Sequence, residues 1–142
     1  MTKPSRTPAQ NSGDTAKWAR IMTKWLITWS HKKGARWNFV EFGGKTGAES
    51  RGIVDFMAVR KNHKPGPPGL KRGDLLDIVL IQTKGGTARP PTAEDIERLA
   101  AVAKYHRAKA VVLASWRRKE SLELFKLERG KWKPVTAHEV FG

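Results

Sequence analysis

The chain has 142 residues, no cysteine, and 28 lysines and arginines against 13 acidic residues, which gives a formal net charge of +15. This length predicts one domain with a substantial core, and the lack of cysteine excludes disulfides and thiolate zinc sites. So large a positive excess destabilises a compact state by self-repulsion and therefore predicts a polyanionic partner. Nucleic acid is the first candidate, and ribosome-like packing or an anionic membrane surface are the alternatives.

The sequence contains no apolar run near the ~20 residues that span a bilayer. It also contains no apolar region of the kind found in signal peptides. We therefore expect no membrane partner and a cytoplasmic, intracellular protein that is associated with the nucleoid or with a phage.

The first third of the chain predicts a tail, a helix and a strand. Residues 1–13 are rich in Pro, Ser, Thr and Asn and predict a disordered tail, so the domain would comprise residues 14–142. A helix is predicted from Ala16 to His31, and a strand over residues 37–42. The apolar residues of the helix recur at helical spacing, and we expect them to pack in the core: Trp18, Ile21, Met22, Trp25 and Trp29.

Polar residues at two predicted strands give the chain its main chemical signal. Asp55 lies in the apolar run of residues 52–60, and Gln82 and Lys84 close the run of residues 74–84. Because strand side chains alternate between faces, Gln82 and Lys84 emerge on the same face. An acid on one strand that faces a Gln-x-Lys pair on the next strand would hold a divalent cation and stabilise a phosphate.

This pattern resembles the PD-(D/E)XK nuclease superfamily, in which an Asp ends one strand and an acidic-x-Lys pair ends its neighbour. Gln82 stands at the acidic position, and Val54 stands where the family has Pro. The order of elements over residues 14–135 is most like that of the archaeal and phage Holliday junction resolvases. The resemblance implies an α/β, restriction-endonuclease-like fold, with a mixed central sheet flanked by helices in a single domain.

The resemblance also implies a catalytic site of Asp55, Gln82 and Lys84, with Mg²⁺ as cofactor and Mn²⁺ able to substitute. Asp55 and Gln82 would bind the metal, and Lys84 would orient water or meet the charge on the phosphate. The resolvases complete this site with a Glu in their first helix, which is absent from this chain. Glu41 and Glu49 are therefore the candidate replacements, with Glu41 preferred because a strand end is rigid. The alternative for Glu41 is an ion pair with a neighbouring Lys or Arg.

Basic residues in the first helix and in two loops are the candidate DNA contacts. The helix carries a basic strip that is either solvated or bound to phosphate. The glycine-rich loop of residues 43–52 and the proline-rich loop of residues 61–73 are either flexible turns or DNA-gripping segments. The candidate DNA-binding residues are Lys17, Arg20, Lys24, Lys45, Ser50, Arg51, Lys61, Lys64, Lys71 and Arg72.

The second half of the chain predicts a helix followed by three strands. Thr92 caps the helix with Asp95 three residues later. A buried strand is expected over residues 110–116, and a hairpin over residues 122–127 and 132–135.

Three functions fit these features. The first is a metal-dependent DNA endonuclease that hydrolyses phosphodiester bonds. Within this class, the chain most resembles a structure-specific Holliday junction resolvase that acts on branched or junction DNA. Such an enzyme would act as a homodimer, because two opposed strands need two sites. The second is a non-catalytic nucleic-acid-binding module on the same fold, favoured by the missing helix Glu and by Gln82. The third is a restriction, homing or nicking endonuclease.

Overall fold

A six-stranded sheet, with its strands in chain order, forms the centre of the fold. The computed structural model describes the backbone of residues 8–42, 52–85, 89–116 and 122–142, and the side chains from residue 17 onward. The elements are α1 (Pro8–Ser30), β1 (Asn38–Glu41), β2 (Phe56–Lys61), β3 (Leu76–Gly85), α2 (Ala93–Tyr105), β4 (Ala110–Trp116), β5 (Leu122–Glu128), β6 (Lys131–Val135) and α3 (Ala137–Phe141).

The sheet is mixed. Strands β3 and β4 are parallel and are joined through α2, whereas the other neighbouring pairs are antiparallel. This confirms the predicted α/β class, with a mixed central sheet flanked by helices in one domain. None of the described helices is long and apolar enough to cross a membrane.

Each face of the sheet has its own apolar cluster. Helices α1 and α3 cover one face, where Ile27 and Phe141 join sheet residues such as Phe56 and Ile81. Helix α2 covers the other face through Leu99, which packs with Leu80 and Val111. We call these the α1 face and the α2 face. The central strand β3 is buried on both faces, as its nearly continuous apolar sequence predicts.

Helix α1 begins at Pro8, eight residues before the predicted start at Ala16. Residues 8–13 of the predicted tail are therefore helical, and residues 1–7 lie outside the described part of the chain. Proline fits the first turn of a helix because its missing N–H would have no partner there. The sequence did not predict this extension because Gly13 and Asn11 have low helix propensity.

The tryptophans of α1 lie on the outside of the fold, so the prediction that they form its packed face is wrong. The residues that pack against the sheet are Ala19, Thr23 and Ile27, and all three are fully buried. Thr23 satisfies its hydroxyl by donating a 2.6 Å hydrogen bond to the Ala19 carbonyl. Small side chains thus let the helix approach the sheet closely. The exposed fractions of the tryptophans are 55% for Trp18, 54% for Trp25 and 68% for Trp29.

The local signals of the second half are confirmed. Thr92 and Asp95 form the predicted capping box at the start of α2. The hairpin β5–β6 turns through Arg129 and Gly130, with φ angles of 50° and 77°, as a two-residue hairpin turn requires. Helix α3 was not predicted, although Thr136 begins it with a capping box of the T-x-x-E type.

Candidate active site

Backbone hydrogen bonds hold Asp55 between two strands. Its N–H donates to the Ile81 carbonyl at 3.0 Å, and its own carbonyl accepts from the Phe42 N–H at 3.1 Å. Strand β2 itself begins one residue later, at Phe56, and not at residue 52 as predicted. Asp55 is therefore fixed at the end of the sheet, beyond the last regular pair.

The side chain of Asp55 continues the hydrogen-bond ladder between β2 and β3. Its Oδ2 atom accepts a 2.7 Å bond from the Thr83 backbone N–H and a 3.2 Å bond from the Thr83 hydroxyl. Because the Ile81 carbonyl faces β2, strand alternation directs the Thr83 N–H the same way. The carboxylate thus occupies the place of the next backbone acceptor, and both bonds to it are charge-assisted.

Gln82 is a buried polar residue whose amide oxygen has an unmet hydrogen-bonding capacity. The residue is 7% exposed, and its Nε2 donates to the Ile53 carbonyl at 3.4 Å. Because a carbonyl oxygen only accepts hydrogen bonds, the amide nitrogen of Gln82, and not its oxygen, faces Ile53. Among the described residues, none donates to Gln82 Oε1. A buried acceptor without a partner costs about 1–3 kcal/mol, so an external ligand at this oxygen would be stabilising.

Hydrogen bonds hold Asp55 against the part of β3 that carries Gln82. Asp55 bonds to the Ile81 carbonyl and to the Thr83 N–H, which belong to the residues on either side of Gln82. A carboxylate and an amide oxygen are hard donors that suit Mg²⁺ and Mn²⁺. The unpartnered Gln82 oxygen is the observation that fits a bound cation.

Lys84 lies on the α2 face with Gln82, near the N-terminus of α2. The backbone N–H of Thr92 donates to Asp95 at 3.0 Å and holds the pKa of this carboxyl below its ordinary value, and the positive charge of Lys84 lowers the pKa further. Lys84 is therefore close to an acid that the sequence indicated only as a helix cap. The spacing of residues 84 and 95 gave no signal of this proximity.

Glu41 lies apart from this group. It pairs with Phe56 across β1 and β2, so its side chain points to the α1 face. There its Oε1 lies 3.1 Å from Lys24 Nζ, which is the alternative expected for Glu41. The other candidate ligand, Glu49, is outside the described residues, as are the candidate DNA contacts Lys45, Ser50 and Arg51.

The basic loop between β2 and β3 is at the opposite end of the strands. From Asp55 to Lys61 the chain advances six residues, or about 20 Å. The loop is folded by its own polar groups, since the Lys64 N–H donates to Asn62 and the Lys71 N–H to Asp74. A single phosphate cannot contact both ends, but a duplex segment of about six base pairs covers this length.

Few protein groups at this site could bind a metal ion. Within the described ranges, no three His, Asp or Glu residues are arranged to hold a metal ion. Among the described residues, the side-chain oxygens at this end of β3 include those of Asp55, Gln82 and Thr83. Mg²⁺ commonly keeps several waters and takes one or two carboxylates plus substrate phosphates, so this small donor set is compatible with the ion.

Comparison with known proteins gives no relative for this geometry. No protein family, curated protein or solved structure matches the chain. Its function must therefore be inferred from the residues of the site and from the charge of the surface around it.

Proposed function

We propose that the chain is a metal-dependent DNA endonuclease that hydrolyses phosphodiester bonds, most like a structure-specific Holliday junction resolvase. The observation that carries the proposal is the buried Gln82 oxygen, which has no partner among the described residues and stands next in sequence to Thr83, the residue that bonds to the Asp55 carboxylate, with Lys84 one pleat away. The order of helix, strand, Asp strand, Lys strand, helix and strand also agrees with the layout of the resolvases. A restriction-endonuclease-like fold is part of the same proposal.

Each residue of the site would have a separate role in hydrolysis. When bound, the cation supplies an activated water and neutralises charge on the phosphate. Asp55 and Gln82 would hold it, and the two bonds from Thr83 keep the Asp55 carboxylate in a fixed orientation. Lys84 would donate to a phosphate oxygen as negative charge develops there. Because Asp55 is bound on both sides through its backbone, little reorganisation is needed.

The substrate follows from the charge and from the symmetry of a junction. A net charge of +15 favours a polyanion, and basic groups at both ends of the sheet suit a duplex arm about 20 Å long. A homodimer would present two sites to two opposed strands. We therefore propose branched DNA as the substrate.

A non-catalytic nucleic-acid-binding module is the second candidate. The observation that favours it is the Glu41–Lys24 ion pair at 3.1 Å, because it leaves one carboxylate among the described residues of the site. A site with one carboxylate binds Mg²⁺ weakly, since this ion loses its hydration shell reluctantly.

One experiment separates the two candidates. The protein is incubated with Mg²⁺ and labelled linear, flapped and four-way DNAs, beside Asp55→Asn and the control Asp77→Asn. Asp77 lies on β3 at the opposite end of the sheet, where it meets Arg60 and Asn62. If the protein is an endonuclease, the wild type and Asp77→Asn cleave a branched DNA, and Asp55→Asn does not. Binding without cleavage by all three proteins supports the module.

A further inference from the structure

Helix α1 presents an exposed aromatic surface that the proposed active site does not use. We define the tryptophan stripe as Trp18, Ile21, Trp25 and Trp29, all of them exposed. At about 100° per residue these four side chains fall within an arc of about 80°. They point away from the buried strip of α1. Exposed aromatic patches of this kind mark binding surfaces.

The sequence of the segments that the structure does not describe offers little apolar cover for this stripe. The segments outside the described residues are 1–7, 43–51, 86–88 and 117–121. Met1 is their only large apolar residue. These segments therefore do not supply an apolar cover.

The charge beside the stripe selects the kind of molecule. Lys17, Arg20 and Lys24 lie along one side of it, between about 80° and 140° from Trp25 around the helix. The only acid in the sequence of α1 is Asp14. A contact between the stripes of two copies would bring two identical basic sides together, so two stripes repel each other. An anionic partner is favoured instead.

The stripe and the proposed active site lie toward the same end of the sheet, on opposite faces. Lys24 contacts Glu41 at 3.1 Å, and Glu41 pairs with Phe56, the neighbour of Asp55. The middle of the stripe is therefore at the same end of the sheet as Asp55. This step rests on the proposed function, because it assumes that nucleic acid occupies that end.

We propose that the tryptophan stripe and its basic side bind single-stranded nucleic acid. Bases stack on the tryptophans, and phosphates pair with Lys17, Arg20 and Lys24, as in other single-strand binding surfaces. The stripe extends over 11 residues from Trp18 to Trp29, about 16 Å along the helix. The substrate of the active site would then be branched nucleic acid with unpaired bases beside the duplex.

The geometry of one ring pair defines how bases contact the stripe. The Trp25 and Trp29 rings have centroids 5.2 Å apart and are tilted by 43°. A base inserted between two rings needs about 7 Å, twice the ~3.4 Å spacing along a strand. Bases therefore stack on the outer faces of this pair and do not enter between the rings.

The test uses fluorescence anisotropy in EDTA, so that no cleavage is needed. The probes are labelled oligodeoxythymidine and oligouridine of about twelve nucleotides, and an abasic strand of the same length and charge. We expect the wild type to bind the base-containing strands at least tenfold more tightly than the abasic strand. Trp25→Ala and Trp29→Ala should each weaken binding of oligodeoxythymidine by about five- to hundredfold, with little change for the abasic strand. Oligouridine shows whether RNA shares the surface.

Matched variants exclude an indirect effect. Trp25→Phe keeps an aromatic face and should retain most of the affinity, and Tyr105→Ala removes an exposed aromatic of α2 and should change nothing. Circular dichroism checks that each variant is folded. Equal affinity for base-containing and abasic strands would overturn the inference. The inference would also be overturned if the tryptophan variants bound oligodeoxythymidine with wild-type affinity. Loss of binding to phosphatidylglycerol vesicles in those variants would then point to a membrane, and loss of a dimer in sedimentation would point to a second copy of the chain.

The outcome is independent of cleavage. A protein that binds oligodeoxythymidine through the stripe but cleaves no DNA refutes the proposed endonuclease and supports this inference. A protein that cleaves branched DNA but binds abasic and base-containing strands with equal affinity supports the proposed endonuclease and refutes this inference.

Discussion

The Thr83 backbone N–H donates a 2.7 Å hydrogen bond to Asp55 Oδ2, and the Thr83 hydroxyl donates a second bond of 3.2 Å to the same oxygen. Thr83 stands between Gln82 and Lys84, so these bonds join the proposed catalytic acid directly to the strand that carries its partners. The orientation of Asp55 therefore depends on the backbone of β3. Asp55 has a structural contribution that can be separated from its charge.

Two substitutions of Asp55 separate these contributions. Asparagine keeps an oxygen that accepts from the Thr83 N–H, whereas alanine leaves that N–H without its partner. We expect Asp55→Ala to lower the free energy of unfolding by about 1.5–3 kcal/mol, the usual range for hydrogen bonds to a charged group, and Asp55→Asn to lower it by clearly less. Urea unfolding of the three proteins checks this. Equal stability of the two variants would show that the Thr83 bonds do not stabilise the fold.

Gln82→Glu should make stability depend on metal. The substitution buries a second carboxylate beside Asp55, and like charges in a buried position repel. In EDTA we expect a lower melting temperature than wild type, and with Mg²⁺ a larger recovery than wild type shows. The half-saturating Mg²⁺ concentration for cleavage should also fall. A folded Gln82→Glu protein that neither responds to Mg²⁺ nor cleaves DNA would show that Gln82 has another role.

Lys84 should be required for cleavage more than for binding. We expect Lys84→Ala to reduce cleavage at least a hundredfold, on the scale of losing one group that stabilises transition-state charge. Binding of the same DNA should fall only by the loss of one phosphate contact. Lys109→Ala, a basic control just before β4 and beside Asp77, should leave cleavage unchanged. Single-turnover kinetics and anisotropy on the same DNA measure both effects. Equal losses of cleavage and binding would identify Lys84 as a DNA contact alone.

Glu41 and Glu49 should behave differently across a Mg²⁺ and Mn²⁺ titration of activity. Glu41 is in an exposed ion pair with Lys24, and such pairs contribute about 0–1 kcal/mol, so Glu41→Gln should change neither stability nor metal dependence much. Glu49 remains the candidate for a second carboxylate, and Glu49→Gln should raise the metal requirement. A raised requirement in Glu41→Gln would return Glu41 to the metal site. If neither variant shifts the titration, the binding module becomes the better hypothesis.

Local patterns in the sequence predicted most of the fold. Thr92 and Asp95 predicted the start of α2 because a capping box needs only four consecutive residues. The run of residues 110–116 predicted β4, because a buried strand shows an unbroken apolar sequence. The placement of Gln82 and Lys84 on one face also followed from the alternation of strand side chains alone.

Contacts between distant segments could not be predicted in the same way. In α1, the tryptophans and the strip of Ala19, Thr23 and Ile27 both have helical spacing, so periodicity alone does not decide which one packs. The sheet accepts the smaller side chains, whereas hydrophobicity favoured the larger ones. The pairing of Glu41 with Lys24 likewise depends on where α1 crosses β1, which no local pattern encodes.

The most direct test of the central claim is the Mg²⁺-dependent cleavage of labelled branched DNA by wild type and by Asp55→Asn. Both proteins are first shown to be folded and to bind the DNA in EDTA. We predict that the wild type cleaves once Mg²⁺ or Mn²⁺ is added, and that Asp55→Asn binds the DNA but does not cleave it with either metal. Cleavage by Asp55→Asn at the wild-type rate, or none by the wild type on any branched DNA, would contradict a metal-dependent nuclease site at the end of β3.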